Sequence, residues 1–146
     1  MHPVARALTE GVPLLSGHDA TRHFVLAHGR AFVPAPLPRE IRRRKQGTCF
    51  QAAGSTVIRK HNAGLRYVEG FAISPADPSP VWHAWLTTDG TAIDQTWPEA
   101  ISMQSFYFGV EFSVATLAAM VFARGYYGLL DPVDDELIAS FEREAA

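Results

Sequence analysis

The dipeptide Asp89-Gly90 constrains the fold of this chain more than any other feature, because it separates two segments whose polar and apolar residues alternate. A two-residue hairpin loop needs positive φ angles, which Asp-Gly accepts. If Thr88 pairs with Thr91, the register sets three pairs opposite one another: Leu86 and Ile93, Trp85 and Asp94, His83 and Thr96. Side chains alternate between the faces of a strand, so we predict that His83 and Asp94 are diagonal neighbours on one face. A one-residue slip would separate them.

Composition sets the broad class of the protein. The chain has 146 residues, of which 47% are hydrophobic and 19% charged, and this predicts a single domain over residues 1–146. Within it we distinguish an N-terminal helix and Pro/Arg-rich crossing (1–45), a core (46–113) and C-terminal helices (114–146). The net charge of −2 argues against nucleic acid as a partner. No run has signal-peptide or membrane-spanning character, so we expect a cytoplasmic protein with no membrane partner.

The apolar periodicity predicts an α+β protein in which helices form a layer against an antiparallel sheet. Prolines 34, 36 and 38 forbid a helix there and predict an extended crossing over the surface. A proline-rich loop is expected at 75–80. The predicted helices cover residues 19–28, 49–61, about 113–125 and 134–146, and the predicted strands cover 65–74, 81–88 and 106–112.

Cys49, the only cysteine, stands at the start of a predicted helix and is followed in the chain by His83 and Asp94. One cysteine cannot form an internal disulfide. The positive end of a helix dipole favours a thiolate, the nucleophilic form of cysteine. An imidazole oriented by a carboxylate can take and return the proton. This order of residues therefore predicts a Cys49-His83-Asp94 catalytic triad for acyl transfer through a thioester.

The same hypothesis needs donors for an oxyanion and groups that hold the substrate. The backbone N–H of Cys49 and the side-chain amide of Gln46 are the candidate oxyanion donors. Trp82, Trp85 and Glu69 are the candidate substrate-binding residues, although tryptophans on strands also serve as core. The other histidines lack carboxylates or thiols at metal-site spacing. We therefore expect no metal and no cofactor.

Three segments together resemble the papain-like cysteine hydrolase superfamily, and most closely its transglutaminase-like branch. They are Gly47-Thr48-Cys49-Phe50, His83-Ala84-Trp85-Leu86 and Asp94-Gln95-Thr96-Trp97, with Tyr67-Val68-Glu69-Gly70-Phe71 similar to the strand that precedes the histidine. The resemblance implies a papain-like fold, in which an antiparallel sheet packs against the helix that carries the cysteine. It also implies that Cys49 is the nucleophile, His83 the general acid and base, and Asp94 the orienting carboxylate.

Several alternatives remain open at the level of sequence. Peptide cleavage, side-chain deamidation and transamidation share the same thioester and differ only in the acceptor that resolves it. The chain is also compatible with a catalytically inactive binding module that recognises a protein or peptide. The basic run between Arg39 and Lys45 is either a solvated surface or a site that attracts an anionic substrate.

Overall fold

The computed structural model describes residues 1–145, so Ala146, the predicted end of the last helix, lies outside the described residues. The helices are α1 (Pro3–Thr9), α2 (Asp19–His28), α3 (Cys49–Arg59), α4 (Glu99–Ser102), α5 (Val114–Arg124) and α6 (Asp135–Ala145). The strands are β1 (Arg30–Ala35), β2 (Arg66–Ser74), β3 (Asp77–Thr87), β4 (Thr91–Ile93) and β5 (Phe106–Phe112).

The five strands close into a barrel in the order β1-β4-β3-β2-β5, with helices around it. The expected papain-like arrangement, a helix packed against an antiparallel sheet, is therefore wrong. The difference arises at β1, where the segment predicted to cross the surface joins the sheet instead. It pairs antiparallel with β5 and parallel with β4, so neither edge of the sheet stays open.

The hairpin at Asp89-Gly90 forms as predicted. The φ angles are 49° at Asp89 and 79° at Gly90, and the N–H of Thr91 donates to the carbonyl of Thr88 at 3.1 Å. Leu86 pairs with Ile93, which confirms the register at that position. β4 ends at Ile93, however, so the predicted pairing of His83 with Thr96 is wrong.

The proline-rich segment at 75–80 is mostly strand rather than loop. β3 begins at Asp77, and Ser74 pairs with Asp77 across a tight turn that follows an irregularity between Ala72 and Ser74. The remaining pairing of β2 with β3 is antiparallel and regular from Arg66 to Ala72. A long two-stranded ribbon therefore carries His83 on one strand opposite Gly70 on the other.

The two faces of the sheet carry different apolar clusters. The smaller cluster contains residues from every strand and none from a helix, which identifies it as the barrel interior: Phe32, Val68, Ala72, Trp85, Ala92 and Tyr107. The larger cluster joins the outer face of the strands to the helices, including Ala53, Val57, Leu117 and Leu137. Among residues 1–145, no helix is long and apolar enough to cross a bilayer.

Candidate functional site

Cys49 is the first residue of α3, whose N-cap is Thr48. The Thr48 hydroxyl donates to the carbonyl of Lys45 at 2.6 Å, so it does not cap the helix. Within the described chain, the N–H of Cys49 has no acceptor, and the first turn of α3 leaves its donors unpaired. The thiol therefore stands beside free backbone donors at the positive end of a helix dipole.

His83 and Asp94 come together across the hairpin. The Nε2 of His83 lies 2.8 Å from the Oδ2 of Asp94, and both side chains are buried. Side chains alternate along a strand, so His83 lies on the same face of β3 as Trp85. Trp85 belongs to the apolar cluster of the barrel interior. With Nε2 committed to Asp94, Nδ1 is the ring nitrogen that remains for another partner.

Asp94 is fixed by hydrogen bonds from both sides. Its Oδ1 accepts the backbone N–H groups of Thr96 and Trp97, each at 3.0 Å, so the carboxylate itself shapes the turn that ends β4. Its Oδ2 accepts the Tyr107 hydroxyl at 2.7 Å in addition to the imidazole. Burial alone raises the pKa of Asp94, but His83 and these donors outweigh it and lower the pKa below its ordinary value.

The Cys49 side chain lies close enough to the imidazole of His83 to favour its protonated form. Burial lowers the pKa of His83, whereas the Asp94 carboxylate and the Cys49 side chain raise it, and the net result is a pKa of about 10. The structure thus brings together Cys49, His83 and Asp94 in that order. At neutral pH, His83 is therefore an imidazolium, in which both ring nitrogens are donors.

Aromatic rings surround the imidazole. The Trp97 ring stacks on His83 with centroids 4.3 Å apart and an interplanar angle of 27°. Trp97 is half-buried, whereas His83 is 3% exposed and Cys49 is 8% exposed. Trp97 therefore covers the imidazole and leaves the sulfur only a narrow approach from solvent.

Tyr107 and Trp97 are site residues that the sequence did not assign. Aromatic residues on strands usually fill a core, so their residue type alone does not indicate a site. The alternation of β5 gives the only available signal, since it places Tyr107 on the barrel face together with Gly109. Burial, and then the Asp94 carboxylate, raise the pKa of Tyr107, so its hydroxyl stays protonated as a donor.

Glu69 is a candidate substrate-binding residue in the sequence, but in the structure its side chain lies in the protein interior. It is fully buried on the outer face of β2, and burial raises its pKa above the ordinary value despite four hydrogen bonds. These donors are the Tyr67 hydroxyl (2.6 Å), Trp82 Nε1 (3.0 Å) and the backbone N–H groups of Leu129 and Leu130 (2.7 Å each). Glu69 therefore fastens the C-terminal segment to the barrel, and its assignment to substrate binding does not fit this burial.

The two predicted substrate-binding tryptophans lie on opposite faces of β3. Trp85 has no exposed surface and fills the barrel interior, so it does not reach a substrate. Trp82 is half-buried and packs against the Phe50 ring with centroids 4.2 Å apart. Trp82 thus packs beside the first turn of α3, because Phe50 directly follows Cys49 in the chain.

A cleft of about 480 Å³ opens at the same helix start. Its walls are the N-terminal turn of α3 and the segment after α5: Gly47, Thr48, Phe50, Gln51, Gly125, Tyr126 and Tyr127. The residues on both sides of Cys49 in the chain line this cleft.

Gln46 is exposed in the turn before α3, and in the described chain no hydrogen bond fixes its side chain. Its predicted role as an oxyanion donor therefore rests on its position in the chain. Among residues 1–145, no group of three histidine, cysteine, aspartate or glutamate side chains is placed to hold a metal ion.

Comparison with family models, with curated proteins and with solved structures gave no significant match. The interpretation of the site therefore depends on its own geometry, which places a thiol beside an imidazole that is hydrogen-bonded to a carboxylate.

Proposed function

We propose that this protein is a cysteine-dependent acyl-transfer enzyme that acts on an amide of a peptide or protein. Cys49 is the nucleophile, His83 the general acid and base, and Asp94 the carboxylate that orients the imidazole. The observation that carries the proposal is the hydrogen bond between His83 and Asp94 with Cys49 beside the imidazole, together with the elevated pKa of His83.

The chemistry begins with His83 already protonated, so the thiol proton of Cys49 leaves to solvent. The imidazolium, whose pKa is about 10, stays protonated at neutral pH, and its positive charge stabilises the adjacent sulfur anion. The sulfur then attacks the carbonyl carbon of the substrate and forms a C–S bond, and the carbonyl oxygen becomes an oxyanion. The free N–H of Cys49 is placed to donate to it, with Gln46 as a second candidate donor.

Collapse of this intermediate breaks the C–N bond and leaves a thioester on Cys49. His83 gives its proton to the departing amine and then accepts a proton from the acceptor that attacks the thioester. Water as acceptor completes hydrolysis or deamidation, and an amine completes transamidation. Asp94 keeps the Nε2–H in place throughout, and the donors from Thr96, Trp97 and Tyr107 keep the carboxylate itself in place.

Acylation by a small activated ester tests this proposal. The protein is incubated with p-nitrophenyl acetate, and intact-mass measurement followed by peptide mapping locates the acetyl group. We expect transient acetylation of Cys49 in the wild-type protein and none at that position in Cys49→Ala. Absence of an acyl adduct on Cys49, with the fold shown intact by circular dichroism, would contradict the proposal.

A second candidate is a binding module that recognises a peptide without turning it over. The burial of Cys49 and His83 favours it, since neither side chain lines the cleft at the start of α3. In that case Cys49→Ala retains full function in the cell of origin. The acyl-transfer proposal predicts loss of function in the same variant with an unchanged fold.

A further inference from the structure

A basic groove lies next to the candidate site and has no role in the chemistry described above. It has a volume of about 610 Å³ and runs between residues 37–43 and residues 98–99. Three arginines line it, namely Arg39, Arg42 and Arg43. Leu37, Pro38, Ile41 and Pro98 supply the apolar part of its surface.

Two of the three guanidinium groups are free to bind a ligand. Arg39 and Arg42 are exposed, and within residues 1–145 their side chains have neither a salt bridge nor a hydrogen bond. Arg43 is partly engaged, because it donates to the carbonyl of Trp97 and lies 3.9 Å from the Glu99 carboxylate. Glu99 also accepts the N–H of Leu37 at 3.0 Å.

The groove is held in place by the segment that follows Asp94. The N–H of Arg44 donates to the carbonyl of Gln95 at 2.9 Å, and the Gln95 side-chain amide donates to the carbonyl of Arg42 at 2.8 Å. Arg43 holds the backbone of Trp97, whose ring covers His83. The groove therefore opens beside the ring that forms one wall of the candidate site.

We propose that this groove binds acidic side chains of the peptide or protein substrate, so that the enzyme selects amides within acidic sequence. This inference rests on the proposed acyl-transfer function and assigns its substrate class. A guanidinium group binds a carboxylate through two parallel hydrogen bonds, and Arg39 and Arg42 have these donors available. Leu37 and Pro98, which also line the groove, provide contacts for the carbon chain of a glutamate.

A peptide fits the groove better than nucleic acid does. Nucleic-acid binding draws on a broad basic surface, whereas this chain carries a net charge of −2 and the groove is itself interrupted by Glu99. Leu37 and Pro98 beside the arginines also favour a partner that combines charge with apolar groups. Binding of a phosphodiester strand is an outcome that the experiment can detect.

The test compares binding of a short fluorescein-labelled peptide rich in glutamate with that of its glutamine counterpart. Fluorescence anisotropy with the Cys49→Ala protein measures binding without turnover. We expect the glutamate peptide to bind more tightly, and the double variant Arg39→Gln/Arg42→Gln to weaken its binding about three- to tenfold, the effect expected of two exposed ionic contacts. High salt should reduce the difference between the peptides.

The control variant Arg6→Gln/Lys60→Gln removes the same charge from α1 and from the residue after α3, and should leave binding unchanged. Equal binding of both peptides, equal effects of both double variants, or preference for an oligonucleotide of matched charge would each overturn the inference. Acetylation of Cys49 by the activated ester is scored separately, in the wild-type protein. Failure of that acetylation in the wild-type protein counts against the proposed function rather than against the groove.

Discussion

His83 and Asp94 lie on opposite arms of one hairpin, and the His83 Nε2 is 2.8 Å from the Asp94 Oδ2. The turn at Asp89-Gly90 fixes this relationship, because its positive φ angles set the register in which Leu86 faces Ile93. The hydrogen bond orients the imidazole toward Cys49, and the charge of the carboxylate keeps the ring protonated. Each arm thus supplies one half of the proposed acid–base pair.

Replacing Asp94 by Asn should remove most of the reactivity of Cys49. The amide cannot stabilise an imidazolium, so the pKa of His83 should fall and the wrong tautomer should be populated. By analogy with other triads we expect acetylation of Cys49 to slow about 10³- to 10⁴-fold. Asp89→Asn makes the same chemical change at the turn, where Asn accepts positive φ, and should retain nearly full reactivity. Equal loss in both variants would contradict the assigned role of Asp94.

The stability of the protein should depend on pH through His83. The pKa of this residue is about 10 in the folded protein, compared with an ordinary value of 6.5. Its stabilising contribution is therefore complete below about pH 6.5 and is lost as the pH rises through about 10. Urea unfolding across this range should show a larger loss of free energy for wild-type than for His83→Gln, in which this titration is absent. Parallel curves for the two proteins would rule out the elevated pKa.

Glu69→Ala should destabilise the protein strongly. The substitution leaves three buried donors and the half-buried Trp82 Nε1 without an acceptor, including the N–H groups of Leu129 and Leu130. At about 1–3 kcal/mol for each unpaired buried group, partly relieved by water, we expect a loss of at least about 3 kcal/mol. Glu142→Ala removes the same charge from an exposed position and should change the free energy of unfolding by less than about 0.5 kcal/mol. A mild effect at Glu69 would mean that the C-terminal segment is not held by this carboxylate.

Gly54→Ala should also destabilise the protein, although alanine is the better helix former. An alanine Cβ at position 54 would lie 2.5 Å from the Cδ1 of Tyr127, so the ring must move. We expect a loss of about 1–3 kcal/mol rather than the usual gain on removing glycine from a helix. Because Tyr127 also lines the cleft at the start of α3, binding of peptide probes should change with it. Ser55→Ala, one residue along the helix, serves as the control, and a stabilised Gly54→Ala would show that Tyr127 does not pack there.

The sequence predicts the elements of this site better than it predicts the architecture around them. The helix at Cys49 and the hairpin at Asp89-Gly90 depend on local patterns, namely apolar periodicity and turn chemistry, and both are confirmed. Barrel closure depends on pairing between β1 and the distant strands β4 and β5, which no local pattern encodes. The prolines of that segment predict an extended crossing over the surface, so the sequence does not predict β1.

The same distinction explains the individual residues of the site. Asp94 and His83 are close in the chain and follow from one register, whereas Tyr107 reaches Asp94 from another strand. Glu69 appears in sequence as an ordinary strand glutamate, and its burial becomes visible only when the C-terminal segment folds over it. The sequence alone therefore does not predict the contacts that distant segments make with the site.

Alkylation of Cys49 by iodoacetamide as a function of pH tests the central claim most directly. If protonated His83 stabilises the sulfur anion, Cys49 should react at about pH 6 at least tenfold faster than free cysteine, and the advantage should disappear in His83→Asn. The same measurement on Asp94→Asn should give an intermediate rate. A rate for wild-type Cys49 that never exceeds that of free cysteine, or that His83→Asn leaves unchanged, would contradict the account.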